Sequence, residues 1–411
     1  MAELQDILKK DEPLTPLIAA AWNTMPENLK EIISKTDPIV SVSTEAGLLA
    51  KRDKNFVRSD IGQSIGIIPE IEAYYGPPVG RMKLRRLIAE LWSRLYDLEG
   101  LTAENVAITT GATEALNILL SLLAYRKTVA LMSPHWPTFP DAIHRVGAYC
   151  EAVEIVDGDH TLHLTELESL VQEKGIKVLI INFPNNPSGI AVDKNLMEKI
   201  AEFARENDLI IISDEIYNRI RFSGVPLTML SFAPERTVVV SGGSKEYLIP
   251  GHRVGYVISA SPTMTDTFIK KIIRCQSSCP GIAGQNVLID IMEKEVNEMR
   301  HGSQPSFLKP VVQELQKRRD RLATALINAG FKPFVISEGG IFILARLPDE
   351  ITISDVEFIK KGLEMKKISA IPGSACGKPA WLRFCFGSMS IPEIERFEQN
   401  LLEFISIIKK E

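Results

Sequence analysis

The chain has 411 residues, 45% of them hydrophobic, and a formal net charge of −5. That length supports a core divided between two domains. The acidic balance gives no electrostatic reason to bind nucleic acid or an anionic membrane surface, so small molecules are the expected partners. Five cysteines (Cys150, Cys275, Cys279, Cys376, Cys385) lack CxxC spacing, which speaks against a disulfide framework or a zinc site and for the cytoplasm. The N-terminal MAELQDILKKDEPLTPL lacks the basic-then-apolar pattern of a signal peptide, and no apolar run reaches membrane-spanning length. From Ser41 to Ile68 glycines and prolines punctuate the chain without a clear period. In RMKLRRLIAELWSRLYDL the residues Leu84, Leu87, Ile88, Leu91, Leu95 and Leu98 fall at steps of three and four, predicting a helix with one apolar stripe and Arg81, Lys83, Arg85 and Arg86 facing mainly outward. Short β-rich runs follow at NVAITT, TVALMSP, KVLIINFP, LIIISDE, TVVVSGG and RVGYVIS, alternating with helical pattern as parallel βα units do. Beyond about residue 306 the order changes to helix, strand (GIFILARLP), helix, strand (WLRFCF) and a last helix, suiting a smaller α+β domain.

The chemistry-bearing residues sit where strands end. Lys245, in SGGSKEYLIPGHRVGY, follows a buried strand, and Arg253 comes eight residues later at the start of another. A lysine that forms a Schiff base must reach its neutral amine state near pH 7, and partial burial beside other cations lowers its pKa toward that. Taken alone, a lysine in such a place reads as an exposed loop residue between strands. NFPNNPSG follows KVLIIN and SDEIY follows LIIIS, which places Asn186, Asp214 and Tyr217 at strand C-terminal ends, where α/β sheets bind ligands. Singly, Asp214 could cap its strand and Asn186 could serve a turn. NVAITTGATEALNILLSLLA runs from strand through glycine into a helix, so Gly111, Ala112 and Thr113 present free N–H groups suited to an anion. Arg253 can add a forked charge-assisted pair. Trp136, in SPHWPTF, is either a core tryptophan or a flat surface for a flat ligand. Arg383, in the apolar strand WLRFCF, needs a fixed anionic partner, whether a buried acid or a substrate carboxylate.

From about Tyr75 onward the sequence resembles the fold-type I pyridoxal-5′-phosphate (PLP) aminotransferases of the aspartate/alanine/tyrosine group. The resemblance rests on YGPPVG, TTGATEAL, SPHWPTF, NFPNNPSG, SDEIY, SGGSKEYLIPGHRVGY and WLRFCFG, all in the family's order. It implies an α/β large domain with a mainly parallel sheet flanked by helices, over residues 66–305, and a smaller α+β domain from 1–65 and 306–411. By resemblance Lys245 carries PLP as a Schiff base, Asp214 pairs with the pyridine nitrogen, and Asn186 and Tyr217 hydrogen-bond the phenolic oxygen. Gly111, Ala112, Thr113, Ser244 and Arg253 then hold the phosphate, Trp136 stacks on the ring, and Arg383 takes the substrate α-carboxylate. Tyr75, next to Tyr74, matches a tyrosine that reaches the phosphate of a neighbouring subunit, implying a homodimer with a composite site.

The chain departs from the family pattern in places. Where many relatives have a serine three residues before the lysine it has Gly242, leaving Ser244 to substitute. In DIGQSIGIIP, Gln63 and Ser64 stand where relatives present bare backbone toward substrate. Ala112 occupies the position of a lysine found in some aspartate-specific relatives, which argues for neutral side chains. The implied reaction moves an amino group from an α-amino acid to a 2-oxo acid, with Lys245 as proton carrier. The alternative outcomes on the same scaffold are β-elimination, decarboxylation, cyclisation or amino-acid oxidation. A DNA-binding PLP regulator would need more chain before residue 65, and a nicotinamide dehydrogenase would need a GxGxxG turn that TTGATEAL lacks.

Overall fold

The computed structural model describes residues 75–409 together with Lys30 and Arg52. The expectations for Ser64, Gln63, Tyr74, Ser41 to Ile68 and the 1–65 part of the small domain lie outside the described residues. Among the described residues no helix is long and apolar enough to cross a membrane.

Helix α1 (Met82–Tyr96) buries Leu84, Leu87, Ile88 and Leu91 on its apolar stripe and stops at Asp97, whose left-handed backbone turns its N–H onto Ser93 O. One of its basic residues does not face outward. Arg85 is 4% exposed: its Nε donates to Val106 O at 2.7 Å, and Nη2 lies 3.6 Å from Asp266 Oδ1. The long side chain reaches beneath the stripe to a free strand carbonyl, an option that periodicity alone does not register.

The chain then alternates β1 (Val106–Thr109), α2 (Gly111–Leu123), β2 (Thr128–Ser133), α3 (Thr138–Arg145), β3 (Tyr149–Glu154), α4 (Leu164–Lys174), β4 (Val178–Asn182), α5 (Lys194–Glu206) and β5 (Ile210–Asp214). After β6 (Thr237–Gly242) come the single turn α6 (Gly243–Glu246), β7 (Gly255–Ser259), α7 (Lys270–Ser277) and α8 (Ile282–Arg300). The seven strands pair in the order β1-β7-β6-β5-β4-β2-β3. From β6 to β3 the neighbours are parallel, whereas β7 is antiparallel to both β6 and β1. The reason is the connection: one turn of helix between β6 and β7 does not return the chain to the opposite end of the sheet, as a parallel neighbour requires. Strand β3 has no counterpart among the β-rich runs of the sequence. Its YCEAVE buries only Val153 fully, because an edge strand has a neighbour on one side alone.

Helices cover both faces of the sheet. Ile118, Leu119, Phe139 and Phe268 pack on one, and Leu167, Val171, Ile200 and Ala204 on the other. Helices α1 and α8 close over β1 and β7 through Leu84, Ile88, Leu288 and Met292. The second layer of structure comprises α9 (Leu308–Asn328), β8 (Lys332–Pro333), β9 (Phe342–Arg346), α10 (Asp355–Lys366), β10 (Ile371–Pro372), β11 (Trp381–Cys385) and α11 (Ile391–Ile408). Its four-stranded antiparallel sheet, ordered β10-β11-β9-β8, has a core of its own that includes Phe358, Phe384, Phe386 and Phe404.

Candidate active site

Strands β4, β5 and β6 end at Asn182, Asp214 and Gly242, and the loops beyond them meet residues of α2 and β11 around a cavity of about 310 Å³. Ala112, Thr113, Trp136, Asn186, Asp214, Tyr217, Ser244, Lys245, Arg253 and Arg383 all line it. Gly111 does not, but it lies directly against the Arg253 guanidinium, since a Cβ there would overlap Nη2. Tyr75 stands apart, 75% exposed.

Lys245 is half-buried on α6, with Nζ 5.8 Å from the centre of the Tyr217 ring. Burial lowers its pKa, and the positive charges of Arg383 and Arg253 add to the effect, against Cys385 and Asp214. The direction is the one a nucleophilic amine requires. Asp214 borders the cavity yet lies deep enough that burial pushes its carboxyl up to about 7, opposed by the Ile216 N–H (3.1 Å) and by Lys245. A carboxyl so placed has room for a hydrogen-bonded cation. Burial also raises the pKa of Tyr217, which keeps its hydroxyl a donor.

Hydrogen bonds run from Asp214 to Arg383. Asn182 Nδ2 donates to Asp214 O (2.9 Å), Asn182 Oδ1 accepts the Asn186 N–H (2.8 Å), and Asn186 Oδ1 accepts from Arg383 Nη1 (3.0 Å). Arg383 Cζ sits 4.4 Å from the centre of the Phe342 ring. Its Nε is buried without a hydrogen-bond partner, and among the described residues no acid pairs with it. The Arg383 guanidinium lines the cavity with no acid partner among the described residues, which suits it to an incoming carboxylate.

Sequence reasoning missed Asn182 and Phe342. A polar residue ending the otherwise apolar run VLIIN was the available signal for Asn182. Phe342 carried none, because it reads as an ordinary core residue of β9. Glu215, in the same SDEIY motif as Asp214, turns away from the cavity and accepts bonds from Ser213, Thr228, Asn218 and the Met229 N–H. It secures the loop that carries Tyr217.

The wall of the cavity at the start of α2 depends on a close backbone approach. A Cβ on Gly255 would overlap Gly111 C and Ala112 N, and one on Gly242 would come within 2.8 Å of Gly255 Cα and Val254 O. This crowding is why glycine holds position 242, and Ser244 is the hydroxyl that reaches the cavity. Gly255→Ala therefore displaces the first turn of α2 rather than a flexible side chain. We expect a loss of roughly 1–3 kcal/mol in stability and a clear drop in PLP affinity, read by thermal melting and cofactor titration. Native PLP affinity in Gly255→Ala would remove that turn from the binding site.

The donor set fits PLP: a lysine of lowered pKa, a buried acid facing the cavity, and a helix N-terminus beside an arginine for a phosphate. A model of the family described as aminotransferase class I and II matches residues 69–401. The aspartate aminotransferase of Pyrococcus abyssi is 32% identical over 320 residues, covering 74% of this chain and 77% of its own. Aromatic-amino-acid aminotransferase 2 of Thermococcus litoralis is 29% identical with the same coverage, 74% and 77%. Among solved structures, an aspartate aminotransferase from Thermotoga maritima superposes with a TM-score of 0.71 at 26% identity, covering 93% of this chain and 100% of that one.

Proposed function

We propose, from the premise that this chain belongs to the aminotransferase class I and II family of PLP enzymes, that Lys245 holds the cofactor as a Schiff base and that the amino group moves from an α-amino acid with a neutral side chain to a 2-oxo acid. The observation that carries the reading is the meeting of Lys245, Asp214, Arg253 and Arg383 around one cavity, brought there by separate elements. When bound, the pyridoxal ring supplies an electron sink for the bond broken at the substrate Cα.

The chain's own residues do the rest. Asp214 would hold a proton on the ring nitrogen through a charged hydrogen bond, and Tyr217 and Asn186 would donate to the phenolic oxygen. The N–H groups of Gly111, Ala112 and Thr113, the Ser244 hydroxyl and Arg253 hold the phosphate. Trp136, which lines the cavity, would pack over the ring. Arg383 orients the α-carboxylate, and Lys245 Nζ carries the proton away from the substrate Cα and redelivers it. Among the described residues lining the cavity the cations are Lys245, Arg253 and Arg383, each with one of these tasks. That distribution supports a neutral side chain. So does Ala112 at the start of α2.

A panel of amino donors offered with 2-oxoglutarate and pyruvate tests the reading. Neutral donors such as alanine, methionine or the aromatic amino acids should outperform aspartate. A strong aspartate preference rejects the specificity, and release of ammonia, peroxide or carbon dioxide without amino transfer rejects the reaction.

The reading extends to a homodimer with a site shared between subunits, working in the cytoplasm, and to a large domain over 66–305 joined to a small one that includes 306–411. Support for the dimer comes from the resemblance of Tyr75 to a tyrosine that reaches a neighbouring subunit's phosphate, and its exposed ring is open to such a contact. Tyr75→Phe should weaken PLP retention with little change in melting temperature. A fully active monomer in sedimentation-matched assays rejects the shared site.

A further inference from the structure

We propose that Arg219 is a positioning residue for the reaction: it locks the turn that carries Lys245 to the turn that carries Tyr217, and fastens both to helix α8. The inference rests on Lys245 being the lysine joined to the cofactor. Arg219 lies two residues past Tyr217, and its guanidinium forks onto Glu295 of α8 at 2.6 and 3.0 Å. The same Nη1 donates to the Tyr247 hydroxyl at 2.9 Å, and that hydroxyl in turn donates to Glu295 at 2.9 Å. The Arg219 backbone N–H donates to Glu246 at 2.9 Å. Glu246 and Tyr247 are the two residues that follow Lys245 in the chain. Three elements distant in sequence are thus tied at one guanidinium, directly behind the pair whose separation sets the site, Lys245 Nζ 5.8 Å from the centre of the Tyr217 ring.

Stability alone does not account for the arrangement. The side chains of Arg219, Glu246 and Glu295 are 8%, 4% and 1% exposed, and buried charges of this kind are often no more stabilising than apolar residues of the same volume. Directional bonds do what apolar packing does not: they fix the turns in register and orientation. The groups facing Glu246 are Arg219 from the loop after β5, Glu295 from α8, Tyr247 from its own turn, Tyr256 from β7 and Tyr96 from α1. Two carboxylates share one guanidinium here, and burial pushes Glu246 up to about 7 against the pull of Arg219.

The test uses the holoenzyme. In the double variant Arg219→Met, Glu295→Met the forked pair is replaced by side chains of similar length, while Glu246, pushed up to about 7 by burial, keeps the backbone N–H of position 219 and can take up a proton, so the fold has an alternative. We expect kcat to fall by roughly ten- to a hundredfold with KM little changed, and the pH midpoint of the bound cofactor's visible absorbance to move. Native kcat and an unmoved midpoint overturn the proposal. So does a lowered melting temperature with the midpoint in place, which is what a purely structural role would give. If the double variant fails to fold, Tyr247→Phe decides: it removes one hydroxyl that bonds both Arg219 and Glu295. A smaller fall in kcat with a shifted midpoint supports the lock, and native values overturn it. Borohydride reduction separates the two layers of inference. A label on a lysine other than Lys245 rejects the underlying reading, whereas a label on Lys245 with unmoved midpoints rejects Arg219 alone.

Discussion

Alanine in place of Lys245 leaves a folded protein that still binds PLP and no longer turns over. Lys245 Nζ approaches the Tyr217 ring but makes no hydrogen bond among the described residues, so the fold loses little when the side chain is shortened. The groups assigned to phosphate and ring (Arg253, Ser244, Asp214, the start of α2) remain in place. Catalysis loses both the covalent anchor and the proton carrier. A positioned acid–base group alone contributes about 10²–10⁴-fold, so the combined loss should reach several powers of ten. Steady-state turnover measured beside PLP titration separates a dead site from an empty one. In the native enzyme, borohydride should fix the cofactor to Lys245, read by mass spectrometry of the digested protein. Retained turnover in Lys245→Ala, or a label elsewhere, rejects the assignment.

Arg383→Lys should raise KM for every α-amino acid, by a binding loss of roughly 2–5 kcal/mol. Arginine offers a planar fork that meets both oxygens of a carboxylate, and lysine offers a point charge. The fork is held by Asn186 on one side and the Phe342 ring on the other, where the residue lines the cavity. A shorter reach from the same strand position loses the stacked contact as well. The penalty should fall equally on donors with different side chains, because the α-carboxylate is common to them. Amines without that carboxylate, poor substrates to begin with, should lose little more. Equal losses for amines and amino acids would make Arg383 a structural residue.

Much of this arrangement is legible in the chain because α/β architecture writes it locally. Largely apolar runs such as VLIIN and TVVVSG become strands buried on both faces, and the polar residues that end them fall at the sheet's C-terminal edge. Asp214, Tyr217, Asn186 and Lys245 were therefore readable as site candidates before any coordinate was known. Arg85 was misread for the converse reason: its burial depends on a carbonyl of β1 and on Asp266, neither of which its own helix encodes. Strand β3 escaped because a half-covered edge has no strong apolar signature.

The sequence by itself determined the alternation of helices and strands apart from β3 and the mainly parallel sheet with a second small sheet, since these follow from short-range pattern, while the roles of the site residues came from the resemblance of separated motifs to one family. Tertiary structure decided what those residues meet. Arg383 is 197 positions from Asn186, and Arg219 is 76 from Glu295, yet each pair is bonded within 3.0 Å. Crowding of Gly242 and Gly255 against neighbouring backbone likewise exists only when the sheet has formed. The physical reason is the same in each case. Hydrogen bonds and steric overlap act over a few ångströms of space, and the distance between residues along the chain carries no record of which ones the fold will bring together.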